Sequence, residues 1–451
     1  MGRFFEMLNL VELRKRILYT LSLLAIYRVG IFVAVPGVDI SAIKGYINDM
    51  QSDGAGFLNL FNFFSGGALE NASIFALGIM PYITSSIIMS LMAVVVPQIE
   101  KMQKEGEKGR QKINQYTRYG TIFISIIQGI MIANYFKSQN YNGRGIVNSD
   151  WIDSFEGFGF VLITVITLTA GTAFIMWLGE KITERGIGNG ISLIVFAGIV
   201  ARLPNAIYST LIGLKNDIYQ PYEILILVLI MIVVLAGIVF IERGQRRIPV
   251  QYAKRIIGNK QFGGQVTHLP LKINTAGVIP PIFASTILMF PATIASIIRY
   301  DWIRSIQDAL APGSWQYQVV FVFMIIFFAY FYTAIQFNPV DVADNLRKFG
   351  GFIPGVRPGK STAKYVDFVM TRLTFGGALY LSAICVLPVV IQKLTSNQVP
   401  FYFGGTAILI VVSVALDTVQ QIEGFFINKQ YDNMNGPKNI KIRARFKGLI
   451  N

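Results

Sequence analysis

The sequence predicts an all-α polytopic membrane protein with ten transmembrane helices, arranged as two inverted five-helix halves, and one re-entrant half-helix. Three observations support this fold class. The chain has 451 residues, of which 53% are hydrophobic and 14% are charged, a composition typical of proteins that cross the membrane many times. Ten apolar runs are long enough to span a bilayer. A nine-residue pattern that starts at Gly78 returns at Gly277, in the second half of the chain.

The amino-terminal segment, residues 1–16, is basic and amphipathic, and the first apolar run follows it directly. No small-residue cleavage site comes after that run. We therefore expect the segment to be retained on the cytoplasmic side and not to be removed as a signal peptide.

Residues 57–96 are the most informative stretch, because so long an apolar segment carries a single formal charge, Glu70. The stretch is about twice the length that one crossing needs. Three interruptions divide it, at Gly66-Gly67, at Glu70-Asn71 and at Gly78 to Pro81. We expect a half-helix over about residues 59–71 that enters the membrane and turns back, and then a full crossing over 73–96. A half-helix at membrane depth needs protein or a water-filled cavity around its backbone groups, so the pattern implies a cavity.

The repeated pattern supports an internal duplication. Residues 78–86 align without gaps on residues 277–285, with Gly, Pro, Ile and Ser kept, and the two segments fall in the second and seventh crossings. Paired Gly/Pro-interrupted segments at corresponding places in two halves indicate a pathway at the interface of the repeats. Two unrelated proline-containing helices are the alternative interpretation. Since five crossings per half is an odd number, the second half is expected to be inserted upside down.

The ten runs and their flanking charges set the topology. The runs cover about residues 17–36, 73–96, 119–136, 158–178, 191–207, 222–241, 273–291, 318–335, 373–391 and 403–422. With both termini in the cytoplasm, the loops of that side carry roughly four times as many Lys and Arg residues as the outer loops, as the positive-inside rule requires. The predicted divisions are a first half at 17–210, an external linker at 211–221, a second half at 222–422 and a basic tail at 423–451.

Three cytoplasmic loops are longer or more charged than a simple connection. Residues 98–118 are expected to be partly helical. Residues 242–272 contain alternating apolar positions on either side of a turn signal at 259–264, which predicts a projecting hairpin. Residues 338–370 form the third loop. Topology and lipid contact explain most of the cations, but two loops of this length exceed what a connection needs and indicate a docking surface for an acidic or RNA-containing partner.

The residue types argue against catalysis. The single histidine, His268, lies in a loop, and the single cysteine, Cys385, lies in an apolar run, so the sequence predicts neither a metal site nor a cofactor. Buried carboxylates near the midplane, which ion-coupled transport normally needs, are scarce. A secondary solute transporter built on an inverted repeat stays the first alternative, and a scaffold for other membrane subunits is the second.

Seven strings of residues carry a resemblance to a known family. They are Gly78 to Thr84, Trp177 to Gly190, Gly244 to Ile248, Leu269 to Lys272, Asn338-Pro339, Ala343 to Leu346 and Phe401 to Thr406. These strings closely resemble the bacterial SecY protein-translocation channels, and the likeness runs from the amino terminus to about residue 430. The resemblance implies an hourglass pore between two halves. Such a pore conducts unfolded secretory polypeptides across the membrane and opens sideways into lipid for nascent membrane helices.

The resemblance also implies roles for individual residues. It implies an aliphatic pore ring at Ile79, Ile83, Ile191, Val195, Ile282 and Ile410, with Val195 where isoleucine is usual. It implies a plug over about residues 59–71, which includes Phe61, Phe64, Gly66, Gly67 and Asn71. It places a lateral gate between the second and seventh crossings, beside the third and eighth, at Thr84, Ser86, Gln128 and Asn274. It implies partner-docking positions at Arg246, Arg247, Lys254, Arg255, Arg357 and Lys360. Asp341 departs from the family pattern.

The partners and the location also follow from the resemblance. The expected partners are a ribosome and the SecA ATPase on the cytoplasmic loops, small membrane subunits resembling SecE and SecG, the unfolded polypeptide and phospholipid. Contact with ribosomal RNA is compatible with the basic loops, and DNA is not an expected partner. The expected location is the bacterial plasma membrane, with many crossings and both termini in the cytoplasm.

Overall fold

The computed structural model describes residues 11–52, 62, 65–141, 144–147, 158–217, 220–252, 255–257, 260–262, 266–297, 314–394 and 405–435. Helices dominate these ranges. The helices are α1 (Val11–Gly30), α2 (Ile40–Ser52), α3 (Met80–Val95), α4 (Pro97–Lys104), α5 (Glu107–Ser138), α6 (Phe158–Arg185), α7 (Gly190–Val200), α8 (Leu203–Lys215), α9 (Pro221–Glu242), α10 (Ile279–Ile297), α11 (Trp315–Gln336), α12 (Pro339–Lys348), α13 (Lys360–Leu394) and α14 (Gly405–Asn435). The strands are β1 (Asn140–Tyr141), β2 (Arg144–Gly145), β3 (Gln245–Tyr252), β4 (Arg255–Ile257), β5 (Lys260–Phe262), β6 (Val266–Lys272) and β7 (Gly351–Phe352).

Each of the ten predicted crossings overlaps a helix within the described ranges. Within the described ranges, seven spans are long and apolar enough to cross a bilayer, and an eighth is the pair α3 and α4, which bends by 105° at Val96. The fifth crossing is α7 together with α8, over Gly190–Lys215. The first crossing, α1, begins within the predicted leader at Val11 and carries Arg14, Lys15 and Arg16 in its first turns, which lowers its apolar character. The seventh, α10, has described side chains over part of its length only.

The predicted start of the second crossing was wrong. Residues 73–79 form turns, and the helix begins at Met80. Gly78 has φ of +56°, a left-handed conformation that few residues other than glycine adopt, and Pro81 occupies the first helical turn, where its missing N–H costs nothing. Hydrogen bonds to another part of the chain satisfy backbone groups of this segment instead. Ile74 N donates to Val33 O at 2.9 Å, and Val35 N donates to Ala72 O at 2.7 Å.

The two predicted repeats share this local geometry. Gly277 has φ of +63°, and α10 begins two residues later with Pro280 near its start. The same glycine conformation therefore precedes the helix in both halves. This agreement of backbone conformation strengthens the aligned pattern of residues 78–86 and 277–285.

The two long loops predicted to be cytoplasmic form one structure, although the sequence pattern indicates two separate loops. Strands β3 and β6 pair antiparallel from Gln245 with Lys272 to Gln251 with Val266, so the predicted hairpin is confirmed. Strand β7, from the 338–370 loop, pairs with the other edge of β3. Beneath the sheet lies an apolar cluster of Ile248, Val250, Leu271, Ile353, Val366 and Met370. We name this unit the cytoplasmic platform, after its predicted location.

Other predicted boundaries shift by a turn or more. Helix α8 continues to Lys215, so the first part of the 211–221 linker is helical. Helix α14 continues to Asn435, well into the predicted tail. The predicted helical character of residues 98–118 is confirmed by α4 and the start of α5.

Candidate functional site

Two apolar clusters divide the membrane part of the chain. The first contains buried residues of α1, α3, α6 and α7, and the second contains buried residues of α9, α10, α11 and α13. The division is not strict along the chain, because Ala407, Ile410 and Val414 of α14 belong to the first cluster. The halves contact one another where α3 meets α10 and where α7 meets α14. A pathway between the halves has to lie between these two seams.

Three residues of the predicted pore ring belong to the first cluster, and the other three pack against it. Ile79, Val195 and Ile410 are buried, with exposed fractions of 1%, 4% and 2%. Ile83, Ile191 and Ile282 are half-buried and pack against the same cluster. Ile79 directly precedes α3, and the other five residues lie in α3 and α7 of the first half and in α10 and α14 of the second. We name them the aliphatic ring. The ring contains no ionisable side chain.

Local sequence places the ring residues. Ile79 and Ile83 are one turn apart, and Ile83 N donates to Ile79 O at 3.1 Å. Asn189 caps α7, with its Oδ1 accepting from Ile191 N at 3.1 Å and from Ser192 N at 3.3 Å, a standard way to satisfy the free donors of a helix start. This cap fixes Ile191 in the first turn of α7 and Val195 one turn further on.

A folded-back segment lies against the carboxyl-terminal end of α1. We name Asn62 and residues 65–71 the plug segment. Residues 65–71 form consecutive turns, so the predicted half-helix is not present in this part; Phe61 and Phe64 lie outside the described residues. Asn62, Gly66 and Gly67 are buried and Asn71 is half-buried.

Backbone and side-chain contacts hold the plug segment. Tyr27 Oη donates to Ser65 O at 3.2 Å, and Arg28 Nη1 donates to Gly66 O at 3.3 Å. Within the segment, Gly67 N donates to Asn62 O at 2.9 Å. A side chain on Gly66 would have no room, because its Cβ would lie 2.6 Å from the Cα of Gly198 on α7. The segment is thus packed directly against the helix that carries Ile191 and Val195.

The predicted gate helices are neighbours, and the described hydrogen bonds of Thr84 and Asn274 go to partners outside the predicted polar cluster. Helix α3 contacts α10, with α5 beside α3 and α11 beside α10. Thr84 Oγ1 donates to Met80 O in its own helix at 3.0 Å, and Asn274 Nδ2 donates to Glu242 Oε1 at 2.7 Å. Gln128 Oε1 is buried without a hydrogen-bond partner. Each polar group therefore has its own surroundings, because Asn274 lies in the turn before α10 and not on the helix.

A cleft lies between α3 and α11, at the ends of these helices that lead into α4 and α12. Its volume is about 600 Å³, and its walls come from Ala93 and Val94 of α3 on one side and from Phe331 and Thr333 of α11 on the other. Ser86 is half-buried on α3, and its carbonyl accepts the Ser90 hydroxyl at 2.8 Å. No described residue of α10 lines the cleft, so it lies beside the contact of α3 with α10.

The predicted docking residues lie on the cytoplasmic platform. Arg246 and Arg247 are exposed on β3, Arg357 is exposed in the turn between β7 and α13, and Lys360 is exposed as the first residue of α13. Thr362 Oγ1 donates to Arg357 O at 2.9 Å, which fastens this turn to the start of α13. Arg255 lies in β4, whose side chains are outside the described set, and Lys254 lies outside the described residues altogether.

Sequence reasoning missed the ionic contacts of the plug segment. Glu70 Oε2 lies 3.0 Å from Arg202 Nη2, and Arg28 Nη1 donates to Gly66 O. The isolation of Glu70 in an apolar stretch was the available signal. Among the residues that the structure describes, no group of three or more His, Cys, Asp and Glu residues could hold a metal ion.

These observations define a polytopic helical membrane protein in which two halves meet around an aliphatic ring and a folded-back segment. Comparison with known proteins agrees with that class. The SecY family model matches residues 73–419, and the chain belongs to the SecY family.

Similar proteins cover almost the whole chain. The protein translocase subunit SecY of Escherichia coli K12 is 47% identical over 437 residues, which is 96% of this chain and 96% of that protein. The subunit of the same name from Pseudomonas aeruginosa is 47% identical, with 96% of this chain and 95% of that protein covered. The one from Aquifex aeolicus is 44% identical, with 94% and 96% covered. None of these relatives is described as a solute transporter, so that alternative is not supported.

Solved structures show the same fold at low sequence identity. A structure described as a protein conducting channel has a TM-score of 0.63 at 15% identity and covers 91% of this chain and 92% of its own. A SecY structure that addresses the plug domain has a TM-score of 0.62 at 17% identity, with the same coverage. Sec61 in a canine ribosome-channel complex has a TM-score of 0.60 at 14% identity, again with the same coverage.

Proposed function

We propose that this chain is the pore-forming subunit of a protein-secretion translocase in the bacterial plasma membrane, with both termini in the cytoplasm. It conducts unfolded secretory polypeptides through the aliphatic ring and releases membrane helices sideways between α3 and α10. The observation that carries the proposal is the convergence of the six ring residues, which lie in or directly before four helices of both halves, around one cluster. The plug segment packs beside it.

The chemistry of the ring suits a substrate of any sequence. An unfolded chain presents every kind of side chain, so fixed charges or hydrogen-bonding groups at the narrowest point would retain some substrates. An aliphatic constriction instead excludes water when it is empty and deforms around a passing chain. The plug segment adds a second barrier to ions at rest.

Lateral release follows from the environment on either side of the seam. On translocon-based scales a central Leu contributes about −0.5 kcal/mol to membrane insertion and a central Asp or Arg costs roughly +3 kcal/mol. A segment of about twenty apolar residues is therefore more stable in lipid than in an aqueous pore. The cleft between α3 and α11 gives such a segment a place to enter the seam.

The energy for transport has to come from partners, and we expect no catalytic activity in the chain itself. The exposed cations Arg246, Arg247, Arg357 and Lys360 form the docking surface of the cytoplasmic platform for a ribosome or a SecA-type ATPase. Small membrane subunits resembling SecE and SecG are expected to hold the two halves together. That one solved relative is a ribosome-channel complex supports the ribosome as a partner.

A cross-link across the seam tests the proposal. A cysteine in place of Ser86, combined in turn with cysteines along residues 279–288 of α10, would give at least one oxidisable pair. In vesicles that contain the complete translocase, oxidation of that pair is expected to stop both export of a secretory protein and insertion of a membrane protein, and reduction should restore both. Matched single-cysteine variants serve as controls. Export and insertion at normal rates through the oxidised protein would exclude this gate.

A further inference from the structure

The plug segment carries one charge, and that charge is paired. Glu70 is the single formal charge within residues 57–96. Its Oε2 lies 3.0 Å from Nη2 of Arg202, the residue that immediately precedes α8. The pair joins residues that are far apart in the sequence, so it links the segment to the end of α7, the helix that carries part of the aliphatic ring.

The surroundings of Glu70 orient its carboxylate. Asn62 Nδ2 donates to the same Oε2 atom at 3.3 Å, and Glu70 N donates to Asn62 Oδ1 at 3.2 Å. These two hydrogen bonds hold Asn62 and Glu70 in a fixed relative position within the plug segment. The side chains of Arg202 and Glu70 are 33% and 28% exposed, so the pair is partly shielded from solvent and its geometry is set by neighbours.

A second guanidinium group acts on the same segment. Arg28 of α1 donates to Gly66 O at 3.3 Å, so cations from α1 and from the α7–α8 junction both bind the plug segment. If the segment leaves, Arg202 loses its carboxylate partner and Arg28 loses its carbonyl partner. The segment contains no other acidic residue that could replace Glu70. Apolar packing keeps the segment away from water but does not select one position for it. An ion pair and a directed hydrogen bond do select one position.

We propose that Glu70 and Arg202 form an electrostatic latch that sets the resting position of the plug segment, with Arg28 as a second positioning residue. The inference rests on the proposed function, in which this segment closes the channel at rest. The latch would open when a translocating chain displaces the segment and would re-form when the chain has passed.

The test measures ion leak through the resting channel in vesicles that contain the complete translocase without substrate. Glu70→Gln and Arg202→Gln are each expected to raise the leak about five-fold, the upper range for a partly exposed ion pair. The variant with both substitutions should leak no more than the leakier single variant, because the second change removes an interaction that is already lost. Lys215→Gln, at an exposed cation on the neighbouring helix α8, is the matched control and should leave the leak unchanged.

Two readouts separate a latch from a merely structural role. High salt, which reduces the Debye length to about 3 Å at 1 M, should raise the leak of the parent protein but not that of Glu70→Gln. A cysteine in place of Asn71 should react faster with a membrane-impermeant maleimide in the Glu70→Gln background. Cys385 is buried, and the protein without the added cysteine gives the background.

The outcomes distinguish the latch from the proposed function. Deletion of residues 62–71 should raise the leak more than any charge variant does. If the deletion leaves the leak unchanged, the segment is not a plug and the proposed closure fails. If the deletion raises the leak while Glu70→Gln behaves like the parent, the latch alone is refuted. Additive effects of the two substitutions, together with no response to salt, would also refute it.

Discussion

Replacing Gly66 with alanine should displace the plug segment, and the structure allows the size of the effect to be worked out. Gly66 has φ of +67°, and a Cβ at this position would lie 2.6 Å from the Cα of Gly198. An L-residue in the left-handed region costs roughly 1–2 kcal/mol. Overpacking against backbone that cannot rotate away adds about 1–3 kcal/mol. The seated position of the segment should therefore lose about 2–5 kcal/mol.

Gly67→Ala is the matched control, because it separates strain from crowding. Gly67 has φ of +90°, but a Cβ there would meet only Arg202 Nε at 3.7 Å, an ordinary contact. This variant should show the strain alone, about 1–2 kcal/mol. A reciprocal variant, Gly198→Ala, would place its Cβ 3.2 Å from Gly66 Cα without a positive φ, so it should show crowding alone and less of it.

The assay is the resting ion leak of the complete translocase in vesicles, read beside protein abundance and melting temperature. A difference of about 1.4 kcal/mol changes an equilibrium ten-fold. If the crowding at Gly66 costs more than this, Gly66→Ala should give a displaced fraction at least ten times that of Gly67→Ala. Equal leak from the two variants would show that the close approach of Gly66 and Gly198 does not hold the segment, and the packing argument would be refuted.

Three further predictions concern other parts of the chain. Ile83→Asn combined with Ile282→Asn should place polar groups in the aliphatic ring, weaken the seal and let proteins with defective signal sequences through; unchanged leak and unchanged signal selectivity would count against the ring. Arg357→Glu should slow ATPase-driven export in vesicles while abundance stays near normal, and normal export kinetics would remove this residue from the docking surface. Ile353→Ala, at a buried position of the cytoplasmic platform, should cost about 2–4 kcal/mol and increase hydrogen exchange in β3 and β7 together; exchange in β7 alone would show that the two loops are independent.

The helices could be predicted well from the sequence because apolar runs of spanning length are a strong and local signal. The start of α3 could not. Residues 73–79 are as apolar as a helix, but residues 33–35 of another segment bind their backbone. The apolar composition of residues 73–79 indicates that they are buried. It does not determine whether they form a helix or turns, which depends here on hydrogen bonds to a distant part of the chain.

The site divides in the same way. The residues of the aliphatic ring could be predicted, because the resemblance to a known family supplies their positions in or next to α3, α7, α10 and α14. The pairing of Glu70 with Arg202 depends on the path of the folded-back segment, so no spacing in the sequence reveals it. Strand β7 has only two residues, too few for an alternating pattern, and the union of the two loops in one platform was therefore missed.

The most direct test of the central claim is site-specific photo-cross-linking from a secretory chain stalled in the translocase. A photoreactive residue in the stalled chain should cross-link to the translocase subunit. Peptide mapping of the cross-linked product should then identify peptides that contain Ile83, Ile282 and Ile410. It should not reach Phe240, which is 81% exposed on the outer face of α9. Cross-links to Phe240 with none to the three ring positions would show that polypeptides do not pass between the halves.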